Sequence, residues 1–100
     1  MRIISRKPLL AFIAQHPEAE PSLSRWLRIT QAADWASTEQ VAQTFSKAKV
    51  LDAERVRFEV QGGNYRLVCA FDFRRRIVYV KFIGTHAEYD RIDPFTVSQR

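Results

Sequence analysis

The stretch RVRFEVQGGNYRLVCAFDF (residues 55–73) decides the fold, because apolar and polar residues alternate along it on both sides of two adjacent glycines. A period of two residues is typical of strands that bury one face. Glycine accepts the positive φ angles of a tight hairpin at little steric cost. We therefore predict two antiparallel strands, Arg55 to Val60 and Asn64 to Phe73, joined by a two-residue turn at Gly62-Gly63.

A third strand follows this hairpin. Ile77 to Ile83 is largely apolar, and three arginines, Arg74-Arg75-Arg76, precede it as a polar turn. The last three strands then form a meander. We expect Gly84 to end the third strand and the residues from Thr85 to Arg91 to form a short helical turn.

The chain before Arg55 has helical periodicity. We predict a short first strand at Arg2-Ile3-Ile4, followed by three helices. The first helix begins at Pro8 and ends at His16-Pro17, the second follows Pro21-Ser22, and the third begins at Ser37, which forms a capping box with Gln40. The fold class is therefore α+β, one two-layer domain over residues 1–100. The N-terminal strand and helices pack on one face of an antiparallel sheet, and the other face stays open and polar.

Composition restricts the function classes. A net charge of +5 favours nucleic acid, an anionic membrane surface or an acidic protein as partner. No apolar run approaches the roughly 18 residues of a membrane span, and no secretory cleavage pattern follows the first residues. The single cysteine, Cys69, excludes an internal disulfide, and we expect a cytoplasmic protein.

Neither a metal site nor a cofactor site is predicted. The chain has two histidines and one cysteine, far apart and without ligand spacing. Cys69 alternates with Leu67 and Phe71, so we expect it in the core. Trp26 and Trp35 fall in the helical region, where core or partner contacts are the simplest interpretation.

Three side chains near the strand ends suggest chemistry on a phosphate. Arg66 lies on the polar face of its strand, where it either grips a phosphate bidentately or is solvated. Lys81 interrupts an apolar strand, so it either reaches the sheet edge or serves a site. His86 follows Gly84 and is either a general acid or base or a structural residue.

The residues after His86 extend this set. Tyr89 comes three residues later, so one helical turn would place it beside His86. It would donate a proton, stack on a base or pack against the sheet. Glu88 and Asp90 would either orient His86 or cap the turn. Because the chain is too small for a deep pocket, we interpret the set as an RNA-cutting site on a surface.

The segments GGNYRLV (62–68) and VYVKFIGTHAEYD (78–90) resemble the HigB-type toxins of bacterial type II toxin–antitoxin systems, which are RelE-like mRNA interferases. The resemblance is strongest from Val56 to Asp90. It implies a RelE-like fold and a metal-independent endoribonuclease that cuts mRNA in the ribosomal A site. A HigA-like helix-turn-helix antitoxin would neutralise it, and operator DNA would be contacted only through that antitoxin.

By motif position, the resemblance assigns catalysis to Arg66, Lys81, His86 and Tyr89. Attack of a 2′-OH on the adjacent phosphate needs charge stabilisation, expected from Arg66 and Lys81, and proton transfer, expected from His86. Many relatives end on a tyrosine, so the division of labour between His86 and Tyr89 stays open. We expect further RNA contacts from the polar residues Lys47, Lys49, Arg55, Arg57, Asn64 and Arg74.

Two other function classes remain. One is a non-catalytic basic RNA-binding module, and the other is an adaptor for an acidic protein partner. RNA-binding sheets usually carry two or three aromatic residues on the open face for stacking. Here the hairpin aromatics, Phe58, Tyr65, Phe71 and Phe73, lie on the face that the helices need, which argues against the binding module.

Overall fold

The computed structural model describes residues 1–4 and 6–98 and shows helices layered on a five-stranded sheet with the order β1-β5-β4-β3-β2. Its elements are β1 (Arg2–Ile4), α1 (Lys7–Gln15), a 3₁₀ turn (Pro17–Ala19), α2 (Glu20–Ala32), α3 (Thr38–Thr44), β2 (Lys49–Val50), β3 (Arg55–Val60), β4 (Tyr65–Asp72), β5 (Ile77–Thr85) and α4 (His86–Tyr89). The predicted α+β class is confirmed.

Two features of the sheet were not predicted. β1 lies parallel to β5, with Arg2 beside Ile77, so the sheet is not antiparallel throughout. β2 pairs with β3 through two residues, Lys49 beside Arg57 and Val50 beside Val56. A strand of two residues is too short to show a period of two in the sequence.

The helix boundaries follow from local hydrogen bonds. Pro8 lies in the first turn of α1, where its missing N–H costs no helical hydrogen bond. α1 ends at His16, whose N–H donates to the Phe12 carbonyl at 2.8 Å. α3 begins after Ser37, whose hydroxyl accepts from the Gln40 N–H at 3.3 Å, while the Gln40 side chain accepts from the Ala36 N–H at 2.8 Å. The three predicted helices are confirmed.

The core lies between the helices and one face of the sheet. Phe58 is 2% exposed, and its ring meets Trp26 edge-on at 5.5 Å and Phe45 at 5.2 Å. Trp26, Trp35 and Cys69 are buried, as predicted. Burial raises the pKa of the Cys69 thiol well above its ordinary value, so this residue is not a nucleophile.

Tyr65 ties the sheet to the end of α1. Its hydroxyl donates to Glu18 and lies 3.3 Å from His16 Nδ1, and its ring meets Phe12 edge-on at 4.9 Å. The hydrogen bond lowers the pKa of the Glu18 carboxyl and raises the pKa of the Tyr65 phenol. The predicted packing of the hairpin aromatics against the helices is confirmed for Phe58, Tyr65 and Phe71.

The hairpin turn has four residues, so the predicted two-residue turn is wrong. Val60 pairs with Tyr65, which leaves Gln61 to Asn64 as the loop. Gln61, Gly62 and Gly63 all have positive φ, at 53°, 64° and 94°, and the Asn64 N–H donates to the Gln61 carbonyl at 3.2 Å. The left-handed run begins one residue before the glycines, which the sequence does not reveal.

β5 continues through Gly84 to Thr85, so the predicted break at Gly84 is wrong. Gly84 pairs with Arg66 inside the ladder. A Cβ at this position would lie 2.6 Å from the Phe82 ring, so the glycine makes room for a neighbouring side chain. The predicted short helix after Thr85 is confirmed as α4, although it is shorter than expected.

A β-bulge at Lys81 changes which residues of β5 face the core. Val80 pairs with Cys69 and Phe82 with Val68, so Lys81 has no partner of its own in β4. An extra residue in one strand shifts the alternation of its side chains. Ile83 therefore joins the core, while Phe82 lies on the opposite face and meets Tyr89.

The face of the sheet away from the helices, here called the open face, is partly covered. The Arg55 guanidinium donates to the Pro94 carbonyl at 3.0 Å and to the Val97 carbonyl at 2.9 Å. The chain after α4 is thus held at the β3 side. Pro94 and the polar residues from Thr96 predict a fraying tail. The two hydrogen bonds instead anchor the chain as far as Val97, and residues 99 and 100 lie outside the described residues.

Candidate active site

The strand register arranges the open face in three rows across β3, β4 and β5. Each row has one residue from each strand, and the three rows are Glu59–Arg66–Gly84, Arg57–Val68–Phe82 and Arg55–Ala70–Tyr79. The first row, here called the end row, lies at the end of the sheet where β5 runs into α4. The register of the strands therefore places Arg66 beside Gly84, two residues before His86.

Arg66 is a buried guanidinium and not a solvated surface arginine. The residue is 9% exposed, and its Nη1 donates to the Gly63 carbonyl and, at 3.3 Å, to the Tyr65 carbonyl. Its Nε is buried and has no acceptor among residues 1–4 and 6–98. A guanidinium has five N–H donors, so this one is held in place by the turn and keeps donor capacity for an anion.

His86 is exposed and is oriented by a carboxylate. Its Nδ1 lies 3.3 Å from Asp90 Oδ2, one helical turn later, and its side chain is 58% exposed. The other ring nitrogen, Nε2, is not part of this contact. Of the two acidic residues considered from the sequence, Asp90 is thus the one that contacts His86.

Glu88 caps the helix that carries His86. The Thr85 hydroxyl accepts from the Glu88 N–H at 3.1 Å, and the Glu88 carboxylate accepts from the Thr85 N–H at 2.8 Å. This reciprocal pair is a capping box. The hydrogen bond from the Thr85 N–H lowers the pKa of the Glu88 carboxyl.

The capping box predicts how the site responds to acid. Because the pKa of Glu88 is lowered in the folded state, its stabilisation is present above the ordinary glutamate pKa and is lost as the pH falls through the lowered value. We expect Thr85→Ala to weaken α4 by about 1 kcal/mol. Amide hydrogen exchange at Asp90, whose N–H donates to the His86 carbonyl at 3.1 Å, measures this opening.

Glu88→Gln is the matched control for that experiment. Glutamine can still accept from the Thr85 N–H but does not titrate, so the protection factor at Asp90, which is the exchange rate relative to that of an unstructured amide at the same pH, should become independent of pH in the acidic range. Exchange in Thr85→Ala at the wild-type rate would show that the cap does not hold α4.

Tyr89 packs on the open face. Its ring meets Phe82, with the ring centroids 6.2 Å apart, and the residue is half-buried. The bulge at Lys81 is what brings Phe82 to this position. Of the two rings, only that of Tyr89 is accessible for a base to stack on, because Phe82 is 4% exposed.

Lys81 lies on the open face but apart from the end row. Its ammonium lies 5.4 Å from the centroid of the Tyr79 ring, within cation–π range. It lines a cleft together with Arg55, Arg74 and Tyr79, and these four residues are here called the cleft group. The row of Arg57, Val68 and Phe82 separates the cleft group from the end row.

The remaining predicted RNA-contacting residues are spread over both sides of the sheet. Arg57 donates to Glu59 at 3.4 Å, and its Nε is buried without an acceptor in the described part of the chain. Asn64 donates from its side chain to that of Gln61 in the turn. Lys49 stands beside Arg57 on β2, whereas Lys47 lines a pocket with Arg25 and Trp26 on the helix side.

Glu59 is a member of the end row that the sequence prediction left out. Alternation in β3 already placed it on the polar face with Arg55 and Arg57. Only the register shows that it stands directly opposite Arg66. An acidic residue on a face that is expected to bind RNA gives no signal by itself.

The described residues were searched for a metal site and for a membrane-spanning helix. Residues 1–4 and 6–98 include no group of three or more His, Cys, Asp or Glu side chains placed to hold a metal ion. Over the same residues, no helix is long and apolar enough to cross a membrane.

Comparison with known proteins identifies a family and a relative. The family model described as HigB_toxin, RelE-like toxic component of a toxin-antitoxin system, matches residues 19–92. The mRNA interferase HigB of Escherichia coli O6:H1, strain CFT073, is 28% identical over an alignment of 97 residues. The alignment covers 92% of this chain and 91% of that protein. The matched region includes the three rows of the open face and α4.

Proposed function

This chain belongs to the HigB family of RelE-like toxins, and on that basis we propose that it is an mRNA endoribonuclease that cuts by attack of a 2′-OH on the adjacent phosphate. The observation that supports the proposal is the end of the open face. There, a buried Arg66 with spare donor capacity pairs with Gly84, two residues before an exposed His86 that contacts Asp90. A similar protein is named as an mRNA interferase.

The proposed reaction assigns one task to each group. Arg66 binds the scissile phosphate and stabilises the charge that develops on it. His86 transfers a proton through Nε2, and Asp90 keeps the imidazole in the required orientation. The products are a 2′,3′-cyclic phosphate and a free 5′-OH. We propose that no metal ion takes part, because Arg66 supplies the charge stabilisation and His86 the proton transfer.

The shallow shape of the site supports a ribosome-dependent substrate. The end row and the cleft group lie on a sheet face and do not enclose a ligand. Positioning supplies a large part of catalysis, and mRNA held in the ribosomal A site arrives already positioned. We propose the cytoplasm as the location, a HigA-like helix-turn-helix antitoxin as the partner, and operator contact only through that antitoxin.

The test is primer extension on mRNA held in programmed ribosomes, combined with analysis of the new 3′ ends. We expect cleavage in the A-site codon and cyclic phosphate ends. A 2′-deoxynucleotide placed 5′ to the scissile bond should block the cut, because the nucleophile is then missing. Cleavage of the deoxy substrate, or no cleavage of the ribose substrate, would contradict the proposed reaction.

Lys81 should contribute through substrate binding more than through the chemical step, because its ammonium lies over Tyr79 in the cleft group. We expect Lys81→Ala to weaken ribosome or RNA binding about tenfold and to reduce the salt dependence by roughly one phosphate contact. Arg74→Ala, from the same cleft, is the comparison variant. An unchanged binding constant combined with a large fall in the single-turnover rate would instead place Lys81 in the chemical step.

A further inference from the structure

We propose that Tyr65 is a positioning residue of the proposed active site, through the hydrogen bond that its hydroxyl donates to Glu18 on the helix side of the sheet. The inference rests on the proposed ribonuclease activity and adds to it a residue that acts without touching the RNA. It follows from the place of Tyr65 in the strand ladder, where its backbone adjoins both Arg66 and the start of α4.

The backbone of Tyr65 supports the two parts of the site that lie on different elements. Its carbonyl accepts from Arg66 Nη1 at 3.3 Å. Across the ladder it pairs with Thr85, whose hydroxyl caps α4. Facing residues of an antiparallel pair have their Cβ atoms about 4.5–5.5 Å apart, so a displacement of Tyr65 is passed on to the start of the helix that carries His86.

The side chain of Tyr65 is held from the opposite face of the sheet. The residue is buried, and its hydroxyl donates to the Glu18 carboxylate and lies 3.3 Å from His16 Nδ1. Its ring meets Phe12 edge-on at 4.9 Å. A buried phenol needs a hydrogen-bond partner for its polar end, and here the partner comes from the turn after α1. The end of β4 is thus tied to the helix layer at one defined point.

The same cluster adjoins α4 by a second route. His16, whose Nδ1 lies 3.6 Å from Glu18 Oε1, lines a cleft between α1 and α4 together with Glu88. The hydrogen bond from the Thr85 N–H lowers the pKa of the Glu88 carboxyl most, and the charge of His16 lowers it further. The Tyr65 hydroxyl and the cap of α4 therefore share His16 as a neighbour.

A site on a sheet face depends on such support. Arg66 lies on β4 and His86 on α4, so the distance between them is set by the ladder and by the helix cap. A misplacement of about 1 Å costs about 10²-fold in rate, and side chains behind a site are what keep its geometry. We therefore expect loss of the Tyr65 hydroxyl to slow the chemical step without weakening substrate binding.

The first experiment measures single-turnover cleavage on programmed ribosomes over a range of protein concentrations. Tyr65→Phe keeps the packed ring and removes only the hydroxyl. We expect the rate at saturating protein to fall by about 10–10²-fold, while the half-saturating concentration stays the same. A purely structural role predicts the reverse, because a smaller folded fraction raises the half-saturating concentration and leaves the saturating rate unchanged.

Thr44→Val is the matched control. Trp35, like Tyr65, is a buried aromatic residue of the helix-side core with a hydrogen bond at its polar end, since its indole N–H donates to Thr44 Oγ1 at 3.0 Å. Its ring meets Phe71, toward the other end of β4. Thr44→Val should lower the melting temperature by several degrees, as Tyr65→Phe does, and should keep the wild-type saturating rate.

Variants of Glu18 separate the hydrogen bond from the charge. Glutamine still accepts from the Tyr65 hydroxyl, so Glu18→Gln should keep most of the wild-type rate, whereas Glu18→Ala should be as slow as Tyr65→Phe. Combining Glu18→Ala with Tyr65→Phe should slow cleavage no further than either change alone, because both remove the same hydrogen bond. The Glu18 side chain is 48% exposed, so Glu18→Ala carries the test if Tyr65→Phe does not fold.

The possible outcomes distinguish this inference from the proposed function. Wild-type protein that cleaves, together with Tyr65→Phe or Glu18→Ala at the wild-type saturating rate, overturns the role of Tyr65 and leaves the ribonuclease in place. Equal losses in Tyr65→Phe and Thr44→Val overturn it too, because any loosening of the core would then slow the reaction. Glu18→Gln that is as slow as Glu18→Ala contradicts the assignment to the hydrogen bond. Wild-type protein that does not cleave overturns the proposed function and this inference together.

Discussion

Arg66→Ala is expected to lower the rate of mRNA cleavage by about 10²–10³-fold, because it removes the guanidinium that we propose stabilises charge on the phosphate. It will also destabilise the protein. Arg66 is 9% exposed and donates to the carbonyls of Gly63 and Tyr65, and hydrogen bonds from charged groups contribute about 1.5–3 kcal/mol. We therefore expect a fall of several degrees in the melting temperature in addition to the loss of activity.

The two effects of Arg66→Ala need to be measured separately. Single-turnover cleavage should be recorded well below the melting temperature, where the variant is folded. Arg66→Lys is the control, because lysine keeps the charge but cannot bind a phosphate bidentately while it also holds the turn. A folded Arg66→Ala protein that cleaves at the wild-type rate would show that the arginine only supports the turn.

His86→Ala will lose about 10²–10⁴-fold in cleavage rate with almost no change in stability. The side chain is 58% exposed, so its removal leaves no cavity. Binding to programmed ribosomes should persist, because the cationic groups of the open face remain. His86→Gln, which forms hydrogen bonds but carries no proton near neutral pH, should be nearly as slow as His86→Ala.

Two neighbouring variants test the geometry around His86. Asp90→Asn should give a smaller loss than His86→Ala, since it disturbs only the orientation of the imidazole. Tyr89→Phe keeps the ring that packs on Phe82 and removes the hydroxyl, so we expect near-normal cleavage. His86→Gln that cuts at the wild-type rate would move the proton transfer to Tyr89, and Tyr89→Phe would then be the inactive variant.

The sequence predicted most of the fold because its strongest signals are local. Alternation identified β3 and β4, and the capping residue Ser37 marked the start of α3. The bulge at Lys81 could not be predicted, since it is defined by the pairing of Val80 and Phe82 with residues of another strand. That bulge decides that Phe82 lies on the open face, so the apolar part of the candidate site was missed with it.

The same contrast between local signals and pairing across strands explains which parts of the candidate site could be predicted. Its motif residues, Arg66 and His86, lie close because Arg66 pairs with Gly84. Lys81 was placed with them from its position in the motif, whereas its ammonium contacts Tyr79 in the cleft group. Glu59 and the burial of Arg66 depend on the neighbouring strand and on the four-residue turn, neither of which a single segment of sequence specifies.

The parallel pairing of β1 with β5 has a consequence for synthesis of the protein. Residues 2–4 have their sheet partner in residues 77–79, which are made 75 residues later, and α4 follows only after β5. Contacts between distant parts of a chain form late in folding, because a long loop must close before they can stabilise anything. A nascent chain in which β5 and α4 have not yet been made therefore lacks the complete end row and His86. We expect the proposed ribonuclease activity to be absent from such incomplete chains, because the proposed site is assembled last.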